Sequence, residues 1–132
     1  MFTIKRLALA VLGLSLLAIG IIETLDPDMW WHLQTGQVIL NSGIPRVDIF
    51  SFSMPGALWI THEWLSQAFM WFLYSQGAFP LIMVVFALLG VLTFSLVYYS
   101  CEGRPYLALL LTLLSYATAK LVWGARPQIL SI

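Results

Sequence analysis

Residues 78–101 carry no charged side chain, and this run constrains the chain more than any other feature. It meets the roughly 20 apolar residues that a spanning helix requires. A Lys, Arg or Asp at a span centre costs about 2.5–3.5 kcal/mol, a penalty this run avoids. Two further runs read the same way. Residues 7–22 follow Lys5 and Arg6 and close at Glu23, and residues 105–119 close at Lys120, Trp123 and Arg126. They reach spanning length once Ile4, Leu25, Leu121 and Val122 are included. Composition agrees: 61% of residues are apolar and 9% charged, whereas a soluble domain carries about 25% charged residues. A net charge of zero gives no basic surplus for nucleic acid. Cys101, the sole cysteine, excludes an internal disulfide framework and a multi-cysteine zinc site. The expectation is an all-α membrane protein with three transmembrane helices, at about 4–25, 78–101 and 105–123.

The first run has a second reading as a signal peptide, with Ala18-Ile19-Gly20 as a weak cleavage site. Ile21 and Ile22 prolong the apolar run past it and favour an uncleaved anchor. Lys5 and Arg6 put the N-terminus in the cytoplasm by the positive-inside rule. The full count is a tie, with Lys5, Arg6 and Arg104 inside and Arg46, Lys120 and Arg126 outside. The first helix usually dominates, so the N-terminus is expected inside and the long loop at 26–77 outside. Gly103-Arg104-Pro105 reads as a tight turn that makes the last two spans an antiparallel hairpin.

The outer loop has the chain's polar chemistry. With Glu23 just before it, it holds five of the six acids, the others being Asp26, Asp28, Asp48 and Glu63. Asp26-Pro27-Asp28 reads as a helix start, with Asp26 as N-cap, Pro27 at the first helical position and Asp28 in the first turn. The expected helix runs over about 27–41 and stops at Asn41-Ser42-Gly43 before Pro45. Thr61 is expected to cap a second helix at about 62–75, ended by Gln76-Gly77. Both are too short to span, and their tryptophans suit the membrane interface or a re-entrant piece. Residues 48–53 are the only place where a short strand is expected.

Asp28 and His32 stand four apart and share a helix face, continued by Thr35. An acid there can act as a general base or metal ligand; the plainer role of Asp26 and Asp28 is to cap the helix and complement its dipole. His62-Glu63 opens like a zinc-protease motif, but Ser66 stands where the second His is required. The pair either occupies a helix first turn or meets Asp28 across the loop. Arg126 either snorkels to headgroups or binds the phosphate of an anionic lipid. A transporter reading is weak, because the span centres hold no ionisable residue.

The strings Asp26-Pro27-Asp28-Met29-Trp30-Trp31-His32-Leu33, Gly43-Ile44-Pro45-Arg46-Val47-Asp48-Ile49-Phe50-Ser51 and His62-Glu63-Trp64-Leu65, with Gly36, Trp59 and Arg126-Pro127-Gln128, resemble the first outer loop of bacterial multi-span proteins of the GT-C glycosyltransferase class. The resemblance covers nearly the whole chain. It implies a module whose loop carries two juxtamembrane helices and an essential acid. Asp28, Trp30 and Trp31 match the Asp-x-Trp-Phe spacing of the oligosaccharyltransferase catalytic subunit. Asp28 is therefore the first candidate for the acid, as acceptor base or as ligand of a divalent metal (Mg or Mn). Asp26 is the second candidate, with Glu63 and His62 in support. Arg126 would contact the phosphate of a polyprenyl-phosphate-linked sugar donor, with transfer on the outer face of the bacterial inner membrane. Members of the class have more spans than three, so the chain is expected to be a fragment, inactive in isolation. The alternative is a non-catalytic small membrane protein, either an accessory subunit with a membrane partner or a truncated remnant.

Overall fold

The computed structural model describes residues 4–22, 27–101, 104–119 and 125–130. Among these residues the protein is all-helical, with four α-helices: α1 (Ile4–Ile22), α2 (Met29–Ser42), α3 (Trp64–Ser100) and α4 (Pro105–Ala119). A short 3₁₀ turn follows at Pro127–Ile129. Among the described residues no strand forms. Residues 48–53, where a short strand was expected, are bends and irregular backbone, and an isolated antiparallel bridge, Val47 to Leu58, lies on either side of them.

α2 begins later than the sequence suggests. Asp28, not Asp26, takes the N-cap position, and its side chain makes no capping hydrogen bond. Asp26 lies outside the described residues. The stop is conventional: Gly43 has φ 91°, and its N–H donates to the Ile39 carbonyl at 3.0 Å. Thr61 does not cap the next helix. Its hydroxyl donates to the Pro45 carbonyl at 2.9 Å, which ties the two ends of the intervening loop together. His62 and Glu63 form a turn, and α3 starts at Trp64.

α3 is interrupted where the second loop helix was expected to end. Gly77 has φ −151° and ψ 21°, and Ala78 has φ 52° and ψ −153°, both outside helical space. Pro80 explains the position, because it has no N–H for the carbonyl four residues back and its ring crowds that carbonyl. The turn at 77–78 is the relief. Past the break, residues 79–100 extend about 33 Å at 1.5 Å per residue. α3 is long and apolar enough to cross a membrane, judged by length and composition. α4 and residues 9–18 of α1 are shorter apolar helices.

The chain divides into two compact units. The first takes in residues up to 25 and 83–125. Its core is Leu12, Leu16, Phe94 and Tyr116, with Phe94 and Tyr116 edge to face at 5.0 Å. Gly20 permits a close approach: a β-carbon on it would stand 3.1 Å from that of Ala87. The outward side of the unit is also apolar, with Leu7, Val11, Leu14, Leu88, Leu92, Leu96, Leu110 and Leu114 all exposed.

The second unit joins residues 26–82 to 126–132. α2 buries Met29, His32, Leu33, Gly36 and Ile39, a stripe at three- and four-residue spacing. The first half of α3 answers with Gln67, Met70 and Leu73 at the same spacing. Gly36 sets how near the two helices come, since a β-carbon on it would fall 2.1 Å from the Gln67 carbonyl oxygen.

Candidate functional site

The second unit has a polar cluster inside its helix pair. His32 on α2 is 4% exposed and Glu63, one residue ahead of α3, is 8% exposed. The His32 Nδ1 lies 3.9 Å from Glu63 Oε2 and 3.2 Å from Gln67 Nε2. A separation of 3.9 Å is electrostatic proximity and too long for a hydrogen bond. Glu63 and Gln67 stand four apart, so the helical repeat brings both side chains to one ring nitrogen. Next to them Thr35 is fully buried, and its hydroxyl donates to the Trp31 carbonyl at 2.8 Å.

The cluster is incomplete. Gln67 Oε1 is buried without a hydrogen-bond partner, and an unpaired buried polar atom costs about 1–3 kcal/mol. Reversing the amide would put Oε1 against Nδ1–H and leave the –NH₂ in the orphaned place. In either arrangement one end of the Gln67 amide lacks a protein partner.

The expected site residues have different fates. Asp28 is exposed at the N-terminal end of α2, one turn ahead of His32, and its carbonyl accepts from the His32 N–H at 3.2 Å. His62 is 79% exposed, with Nε2 3.7 Å from Glu63 Oε1 and Nδ1 3.3 Å from the Ile60 carbonyl. Glu63 thus has an imidazole on each side, one buried and one in the open. Arg126 is half-buried in extended backbone ahead of the buried Pro127. It belongs to the same compact unit as Asp28 and Glu63, although the whole of α4 and the long second half of α3 separate them in sequence. Among the described residues, no three His, Cys, Asp or Glu side chains converge to hold a metal ion.

Sequence reasoning placed His32 on the Asp28 face but did not pair it with Glu63. It missed Gln67, and it noted Gly36 only as part of the resemblance, without its role in helix packing. A signal for Gln67 was present, since a Gln one turn after a Glu in an otherwise apolar helix seldom lacks a partner. No family model, curated protein or solved structure matches the chain.

Proposed function

We propose that the chain is the N-terminal module of an integral membrane glycosyltransferase of the GT-C type, which takes sugar from a polyprenyl-phosphate-linked donor at the outer face of a bacterial inner membrane. The observation that carries this reading is the composition of the second unit. One compact body combines an exposed acid, Asp28, a buried His32–Glu63–Gln67 cluster beneath it, and the half-buried cation Arg126. Asp28 is the reacting acid, positioned by a helix that the buried cluster fixes. Arg126 offers a planar fork of donors to the donor phosphate. His62 and Glu63 support the acid, with Glu63 acting through His32.

Three spans belong to the same proposal. The exposed leucines of α1, α3 and α4 support it, because an outward surface as apolar as the core suits hydrocarbon better than water. α1 at 19 residues and α4 at 15 would complete their spans with flanking residues. A cytoplasmic N-terminus follows from Lys5 and Arg6.

The test is sugar transfer by membranes containing the complete multi-span enzyme of which this chain would be the N-terminal module, supplied with polyprenyl-phosphate-linked sugars. Asp28→Ala should abolish transfer at unchanged expression, and retained activity would remove Asp28 from the site. A non-catalytic accessory protein is the second reading. The deep burial of His32 and Glu63 favours it, because a polar pair between two helices also serves packing alone. On that reading Asp28→Ala changes nothing.

A further inference from the structure

The loop between α2 and α3 closes on itself as a finger. Val47 and Leu58 form its bridge. Asp48 N–H donates to the Ala57 carbonyl at 2.7 Å, and Trp59 N–H to the Arg46 carbonyl at 2.9 Å. The Asp48 carboxylate accepts from the N–H groups of Phe50 and Ser51 at 2.8 and 2.9 Å. The Ser51 hydroxyl accepts from Met54 N–H and pairs with the Ser53 hydroxyl. Gly56 N–H returns to the Asp48 carbonyl, and Ala57 N–H to that of Met54. Pro55 has no N–H to satisfy.

Seven backbone N–H groups from Asp48 to Trp59 thus find partners within the loop, while its large apolar side chains stand outward. Phe52 is fully exposed, Leu58 and Ile60 nearly so, and Met54 mostly. No charged residue occurs from Ile49 to Thr61. A loop in water has no need to satisfy its own amides, whereas a loop entering an apolar phase must do so. The same chain contains a helix apolar enough to cross a bilayer, so that phase is already at hand. At its base Trp59 meets Trp31 edge to face at 6.3 Å, and indoles favour the headgroup level.

We infer that the finger at residues 47–60 inserts Phe52, Met54 and Leu58 into the lipid bilayer at the boundary between headgroups and acyl chains. The absence of basic residues makes this insertion independent of anionic lipid. The inference rests on the membrane reading of the chain and not on the transferase reading.

The experiment places an environment-sensitive fluorophore at Phe52→Cys in a Cys101→Ser background, in the full chain reconstituted in phosphatidylcholine nanodiscs. A second site, Leu92→Cys on α3, reports the spanning segment, and Leu58→Cys replaces Phe52→Cys if that variant misfolds. The expected result is blue-shifted emission at Phe52, quenched by lipids spin-labelled near the headgroup and protected from aqueous iodide. Quenching by iodide alone at Phe52, with lipid quenching at Leu92, overturns the finger while the membrane reading stands. Protection from both quenchers at Phe52 also overturns it, and assigns the finger to a protein contact. Lipid quenching at neither site removes the membrane reading and the inference with it.

Discussion

Gly36 and Gln67 meet backbone to backbone: a β-carbon on Gly36 would stand 2.1 Å from the Gln67 carbonyl oxygen and 2.8 Å from the Trp71 β-carbon. The first obstacle is main chain, which cannot swing aside. Gly36→Ala should therefore push α2 and α3 apart and destabilise the second unit by about 1–3 kcal/mol, the usual range for overpacking. Gly13→Ala is the matched control. Its β-carbon would meet nothing within 4 Å, so the helix should gain roughly 0.5–1 kcal/mol. Denaturant unfolding in detergent, followed by tryptophan fluorescence, measures both.

The buried imidazole and carboxylate should behave as one unit. His32→Ala removes the buried imidazole beside Glu63, and Glu63→Ala removes the buried carboxylate beside His32. The double variant should recover part of the loss, with a coupling of about 0.5–3 kcal/mol. Strict additivity in the cycle would mean that the 3.9 Å approach of His32 Nδ1 to Glu63 Oε2 carries no energy.

Ala78 holds a backbone conformation suited to glycine, with φ 52° and ψ −153°. Such a residue stores about 1–3 kcal/mol of strain. Ala78→Gly should relieve part of it and raise the midpoint of thermal unfolding. Pro80→Ala should ease the break and extend helical hydrogen bonding across it, read as a gain in far-ultraviolet ellipticity.

Donor recognition should depend on Arg126 and not on Arg46. A charge-assisted hydrogen bond is worth roughly 1.5–3 kcal/mol, so Arg126→Ala should weaken binding of a polyprenyl monophosphate by about tenfold or more. Arg126→Lys should restore only part of it, because a point charge replaces a fork. Arg46→Ala should leave binding unchanged. Titration by native mass spectrometry from nanodiscs gives the comparison. Equal losses at both arginines would point to surface charge alone.

Helix existence was legible because long uncharged runs and Gly-Pro stops are local signals. The stop at Gly43 is one example, and the break at Gly77, ahead of Pro80, is another. The start of α2 was misjudged by two residues. Asp26 and Asp28 are both good N-caps, and propensity has no means of choosing between them. Thr61 misled for a related reason: its hydroxyl had a tertiary partner, the Pro45 carbonyl, that lies sixteen residues back. The site was legible as a set of residue types but not as a set of neighbours. Asp28, Glu63 and Arg126 were picked by chemistry, whereas the approach of His32 to Glu63 depends on how α2 crosses α3. That crossing is set by Gly36, whose missing side chain gives no hydropathy signal.

The interruption at Gly77 and Ala78 also affects how the chain tolerates change. In an unbroken helix, each inserted residue turns everything downstream by about 100°. Here the two non-helical residues absorb rotational phase. The helical repeat that carries Gln67 and the one that carries Phe94 are therefore separate repeats. Each half of α3 thus keeps a buried face of its own, free to drift in evolution with its own partners.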